Sequence, residues 1–216
     1  LISQDASNIN NHIQERLNAL EAIAKTLTSV MPQGAVAAQR TLESQPIFQA
    51  LFNAGSLVTG PDGMGIASVP ASLGRVGVNF MDRDHVAAAL KGGKSTVGKP
   101  MIGKLLKAPV VSMAVPIRDK VIGAVVGVTD LGQPNFLDQN IKKVGNQTGT
   151  VSIVASQHRL TVTSSDKRLV MFALPAPGVN RYLDRNIAGF EGSTLVVGVL
   201  GQEQLAAVKQ IPAAQW

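Results

Sequence analysis

Apolar side chains open the chain at Ile2, Ala6, Ile9, Ile13, Leu17, Leu20, Ala24, Leu27 and Met31, always three or four positions apart. This spacing makes one stripe along a single helix. No Pro or Gly interrupts the stretch before Pro32 ends it, and at about 1.5 Å per residue the helix reaches roughly 45 Å. A second helical stretch runs from about Gly34 to Glu43, and Pro46 restarts the chain as a short apolar helix, Ile47 to Phe52. From Ser56 the period changes from helical to extended. SLVTGPDGMGIASV reads as two short strands around Pro61-Asp62-Gly63, a turn in which Pro sets φ and Gly accepts a positive one.

Residues 71 to 108 are mixed, with a short helix predicted at Asp84 to Leu90 and Asp82 as its cap. VVSMAVPI (110 to 117) and VIGAVVGVTDL (121 to 131) form a stronger hairpin around Arg118-Asp119-Lys120. Their near-continuous apolar character predicts central strands covered on both faces. After a polar helical connection around Asn135 to Val144 the scheme recurs. VSIVAS, the turn Gln157-His158-Arg159, LTVTSS, an irregular stretch, STLVVGVL and a short helix ending in IPAAQW follow one another. The two copies lie roughly ninety residues apart and are alike in architecture rather than in residues. The pattern predicts an α+β protein in three parts: 1–44, the long helix and a connecting helix; 45–134, a first mixed unit; and 135–216, a second, both with mainly antiparallel sheets.

With 216 residues, 45% of them hydrophobic and 16% charged, the composition is that of folded material. No apolar run is long enough to cross a bilayer. The first residues lack the basic, apolar and small-residue segments of a signal peptide, and the chain starts without Met, so it reads as a piece of a longer protein. The absence of cysteine removes disulfides, thiolate nucleophiles and zinc–thiolate sites. A formal charge of +6 raises the question of nucleic acid, but the densest basic stretch, Lys91 to Lys107, spreads its lysines among Gly and apolar residues. That is a solvated face rather than a nucleic-acid surface.

Catalytic arrangements are missing. AALKGGKS, Ala88 to Ser95, ends like a phosphate-binding loop but has Ala88 where the first Gly is required, and reads as a lysine-rich loop. His12, His85 and His158 stand apart with no metal-ligand spacing, so no metal and no cofactor is expected. No GxSxG elbow occurs, and nothing pairs Asp184 with Glu191 for acid–base work.

Several stretches carry a family resemblance. The long leading helix, the PDGMGIAS turn, GVNFMDRDHVAAAL and APVVSMAVPIRDKVIGAVVGVTDL resemble, in order and spacing, the double Cache family of extracytoplasmic sensors in bacterial transmembrane receptors. The segment from VSIVASQHRLTVTSS to IPAAQW is similar to the membrane-proximal unit of that family. The resemblance implies two tandem PAS-like Cache units, with a ligand pocket in the membrane-distal one and no catalysis within this chain. It places Arg83 where family members grip a ligand carboxylate and Asp130 where amino-acid-binding members accept an ammonium. His85 beside Arg83 adds a donor, and Asp82 is either a ligand contact or the helix cap. Where the amino-acid motif has Trp and Tyr, this chain has His85 and Val86, which shifts the expected ligand towards a small carboxylate or another metabolite. The resemblance further implies a periplasmic portion of an inner-membrane signalling protein, whose output would be a diguanylate cyclase, phosphodiesterase, histidine kinase or chemoreceptor, with a homodimer formed through the N-terminal helix. The rival expectations are a ligand-free dimerisation or protein-interaction domain and a periplasmic hydrolase with an unrecognised site.

Overall fold

The computed structural model describes residues 2–141, 149–197 and 203–216. The chain divides into two compact units, one made of Leu1–His12 with Phe136–Trp216, the other of Ile13–Asn135. Helix α1, Ile2–Val30, contributes to both. Its predicted stripe is its buried face, with Ala6, Ile9, Ile13, Leu17, Leu20, Ala24 and Leu27 inside and Ile23 added. The exposed face carries Ser3, Gln4, Asn11, Gln14, Asn18, Lys25 and similar polar residues. No helix among the described residues is long and apolar enough to cross a membrane.

In the unit of residues 13–135, α2 (Ala35–Glu43) and α3 (Ile47–Leu51) lead into strand β1 (Ser56–Thr59) and its hairpin partner β2 (Gly65–Val69). Gly63 takes φ +83° in the predicted turn, and Asp62 Oδ1 accepts the Met64 N–H at 3.0 Å. Helix α4 spans Asp84–Gly92, followed by two short strands, β3 (Thr96–Val97) and β4 (Met101–Ile102). The long hairpin β5 (Pro109–Ile117) and β6 (Gly123–Asp130) completes an antiparallel sheet in the order β2-β1-β6-β5-β3, with β4 also on β5. The whole of β6, and β5 from Val110 on, is buried, as two covered faces demand.

One face of β5 and β6 presents Val110, Ala114, Ala124, Val126 and Val128, packed with Leu57 of β1 and with Val86 and Ala89 of α4. Alternation along the strands puts Val111, Met113, Val115 and Val125 on the opposite face, equally buried. On α1 the Thr28 hydroxyl donates to the Arg118 carbonyl at 2.6 Å, beside the β5–β6 turn.

In the other unit a helical segment α5, 136–141, precedes the antiparallel pair β7 (Ser152–Ala155) and β8 (Leu160–Ser164). The rest of the expected helix up to 144 lies outside the described residues. Helix α6 (Arg181–Ile187) is capped by Asn180, whose side chain accepts the Leu183 N–H at 3.0 Å. A second pair, β9 (Gly192–Val197) and β10 (Glu203–Val208), follows.

Two local expectations are corrected. The short helix expected to end in IPAAQW is replaced over Glu203–Val208 by strand β10, because ladder pairing such as Leu205 with Leu195 overrides the modest helix preference of EQLAA, and only a 3₁₀ turn at Pro212–Ala214 remains helical. Asp82 does not cap α4: Arg83 occupies the cap position and no side chain caps it. The Asp82 carboxylate instead meets Lys104 Nζ at 2.6 Å, and the first-turn acid is Asp84. The lysine-rich stretch at 91–94 begins as the last turn of α4, closed by the Gly93 and Lys94 N–H groups donating to Ala89 and Ala88 carbonyls.

Candidate functional site

A pocket of about 50 Å³ opens on the α4 side of the sheet, room for roughly four waters or a correspondingly small ligand. Its floor is Leu57, Val110, Ser112, Val126 and Val128, its walls His85 and Val86 of α4, and its rim Arg75, Phe80, Arg83 and the 101–106 segment.

Arg75 is the feature that sequence reasoning missed. It is 5% exposed, its Nη2 donates to the Ala54 carbonyl at 2.6 Å, and its buried Nη1 has no hydrogen-bond partner. Burial pushes its pKa down to about 10, so the guanidinium stays charged at neutral pH against a desolvation cost on the order of 3 kcal/mol. Among the described residues no carboxylate lines the pocket to offset that cost. The loop is held in place by backbone: Gly65 N–H donates to the Val78 carbonyl at 2.9 Å, and Gly77 N–H to the Gly65 carbonyl at 2.8 Å. A Cβ on Gly65 would lie 2.2 Å from the Arg75 carbonyl oxygen, so only glycine admits this approach. The sequence signal was slight: a single Arg between Gly74 and Gly77 has no spacing to mark it.

Of the four expected site residues, the structure brings Arg83 and His85 into the pocket lining and leaves Asp82 and Asp130 out of it. Arg83, with its backbone extended at the start of α4, turns Nη1 against Met101 Sδ and donates to the Ile102 carbonyl at 3.3 Å. His85 is buried, with Nδ1 3.2 Å from Asp84 Oδ1. This contact assigns the proton to Nδ1 and leaves Nε2 for the pocket. Burial alone raises the Asp84 pKa, but hydrogen bonds from the His85 ring and from the Lys99 and His85 N–H groups outweigh it and hold the carboxyl at about 2. A Cβ on Gly98 would fall 2.4 Å from His85 Nδ1, so the chain passes over the His–Asp pair with nothing to spare.

Ser112 is buried and lines the floor. Lys104 lines the wall, but its Nζ is engaged by the Asn79 carbonyl and Asp82, both at 2.6 Å. Slight burial pushes Asp82 up, and the Lys104 hydrogen bond and charge more than reverse it, holding the group below the usual carboxylate range. Asp130 stands opposite Val110 in the ladder, one step beyond Val128 on the same face. Its Oδ1 accepts the Gly132 N–H at 2.7 Å, and its backbone is clamped by Asn53. The site is therefore a small apolar slot in which two guanidinium groups and a hydroxyl can donate, with the His85 ring beside them. Arginine is suited to a carboxylate because its planar fork offers paired N–H groups.

No protein-family profile matches this chain, and no curated protein sequence does. Solved structures do. The ligand-binding domain of Mlp24 with asparagine superposes with a TM-score of 0.73 at 16% identity, over 100% of this chain and 85% of that one. The sensor domain of the V. cholerae histidine kinase DctB gives 0.67 at 14% identity, covering 99% and 91%. An extracellular ligand binding receptor from Desulfohalobium retbaense DSM5692 gives 0.70 at 14% identity over 94% of this chain, which spans only 38% of that receptor. With its long leading helix followed by antiparallel sheets, the chain has the fold of the double Cache, PDC-like periplasmic sensor domains.

Proposed function

We propose that this chain is the extracytoplasmic ligand-binding part of a transmembrane signalling protein and that the pocket beside α4 takes a small carboxylate. The observation that carries the proposal is Arg75, a buried guanidinium with an unpartnered Nη1 in a pocket lined by donors and by no carboxylate. A ligand carboxylate supplies the missing acceptor and offsets the desolvation of a charge that the protein already holds in place. Arg83 adds a second guanidinium, the Ser112 hydroxyl adds a shorter donor, and the positive end of the α4 dipole favours an anion on the same side.

The likeness to sensor domains of chemoreceptors and a histidine kinase supports a signalling rather than a catalytic role. Among those neighbours Mlp24 is described with asparagine. For an amino acid, an ammonium would have to reach Asp130, which does not line the pocket. A carboxylate without an ammonium needs no such reach. Tethering to a membrane, a periplasmic location and a dimer formed through α1 complete the proposal, and α1 passes through both units as the continuous element along which a bound state is relayed. Ligand binding drives such a relay only as far as it prefers one conformation.

The test is a thermal-shift screen of small monocarboxylates and dicarboxylates, amino acids and matched alcohols on the wild-type chain and on Arg75→Met. Carboxylates should raise the melting temperature of the wild type, alcohols of the same shape should not, and Arg75→Met should abolish the response. A screen in which no carboxylate acts, or in which Arg75→Met and Arg83→Met both respond like wild type, sinks the proposal. An amino acid acting where its deaminated counterpart does not, with loss of the effect in Asp130→Asn, replaces the carboxylate by a zwitterion.

A further inference from the structure

A chamber larger than the carboxylate pocket lies in the other unit. A cavity of about 170 Å³ is lined by the start of α1, strand β7, helix α6 and the 207–216 segment. Ile9, Ile153, Leu183, Ile187, Ile211 and Trp216 make most of its wall apolar. Two acceptors interrupt that wall. Asp5 Oδ2 and Asn186 Oδ1 are both buried and both without a hydrogen-bond partner, and both residues line the cavity. Asn186 is 9% exposed, and its Oδ1 has no hydrogen-bond partner among the described residues, although its backbone carbonyl accepts from Gln210 Nε2 at 3.1 Å.

The remaining charge on the wall is already engaged, since Lys209 Nζ pairs with Glu191. A buried carboxylate oxygen and a buried amide oxygen left bare in apolar surroundings are costly, and what satisfies both together is a group with several donors and a positive charge. An ammonium has three. A carboxylate would instead bring a second anion against Asp5, an alcohol has one proton to give, and a hydrocarbon leaves both acceptors orphaned.

The geometry points to a second ligand site here, for a small amine: an ammonium held by Asp5 and Asn186, its compact apolar body lying against Ile153, Ile187 and Trp216. This site uses none of the residues of the carboxylate pocket and stands or falls separately from it.

Trp216 is the single tryptophan of the chain and lines the cavity, so its fluorescence reports occupancy directly. Isoamylamine, isovalerate and isoamyl alcohol are titrated into the full chain, in wild type and in Arg75→Met. The amine should change Trp216 fluorescence saturably at millimolar concentration and raise the melting temperature, equally in both proteins. Isovalerate and the alcohol should leave the fluorescence unchanged. Asp5→Asn should weaken the amine at least about tenfold, the scale expected when one partner of a buried charged contact is removed. Asn186→Leu, which fills apolar space without a polar atom, should do likewise and serves if Asp5→Asn fails to fold. No saturable response to the amine, or the same affinity in Asp5→Asn or Asn186→Leu as in wild type, overturns the site. Loss of carboxylate binding in Arg75→Met with the amine response intact keeps the two sites apart.

Discussion

The carboxylate pocket and the amine cavity are opposites. In the unit of residues 13–135 the unsatisfied group of the pocket is a donor, Arg75 Nη1, set in about 50 Å³. In the other unit the orphans are acceptors, Asp5 and Asn186, set in about 170 Å³. Shape and apolar lining are common to both and say little about what enters. The sign of the polar group that the chain leaves unpaired says more, because an orphaned buried group costs free energy that only a ligand of the complementary kind returns.

The sharpest way to break the comparison is to remove the charge that defines one side of it. Arg75→Met should lose carboxylate affinity by on the order of a hundredfold, the scale of truncating one partner of a buried charged contact. The same variant should be no less stable without ligand, and up to about 2 kcal/mol more stable, because relief from desolvation opposes loss of the Ala54 hydrogen bond. Denaturant midpoints measured with and without ligand check both halves. A variant that is several kcal/mol less stable would mean that Arg75 is structural and that its orphaned Nη1 has misled.

A smaller perturbation keeps every pocket residue and moves only their support. Gly98→Ala places a methyl 2.4 Å from His85 Nδ1 and 2.9 Å from Asp84 Oδ1, on a backbone tied to Ser112 by the Gly98 N–H at 2.8 Å. Neither side has room to yield, so a loss of about 1–3 kcal/mol in stability is expected, the usual range for overpacking. Carboxylate binding should weaken with it, whereas Trp216 fluorescence and its response to isoamylamine should not change.

These two positions also show where the sequence was readable. The stripe of α1 and the hairpin β5–β6 were plain because burial on one face of a helix, or on both faces of a strand, writes a period into the residues themselves. Strand β10 was not plain, since Glu203, Gln204 and Leu205 are exposed and its pairing with β9 is a long-range fact that no local pattern records. Arg83 and His85 were reached through a resemblance, while Arg75 was overlooked. A buried cation in a loop has no periodicity, and its meaning comes from Gly65, Val78 and Ala54, which are near it only in the folded chain. Asp5 and Asn186 lie 181 positions apart by their residue numbers and were invisible for the same reason.

The acid limb of stability sharpens the account of the donor pocket further. Asp84 is held at about 2, below its unfolded value, so the stabilisation it gives is whole above about pH 4 and is lost as pH falls towards 2. Its side chain is 33% exposed, and after allowance for solvent screening the effect is on the order of 1–2 kcal/mol. Asp84→Asn should flatten the stability profile in that window alone, measured by urea unfolding across it. An unchanged slope would show that the carboxylate does not hold His85.

The smallest effect separates two readings of Asp82. As a helix cap it would contribute about 1 kcal/mol. As an ion pair with Lys104 in which the acid is 58% exposed it should contribute no more than about 0.5 kcal/mol. Asp82→Ala should therefore barely move the urea midpoint in low salt and leave it unmoved in high salt. Its visible consequence lies in binding: Lys104, freed from its partner beside the pocket, adds positive potential there, and carboxylate affinity should rise by a small factor that added salt erases. A fall in affinity would instead make Asp82 a contact of the ligand itself.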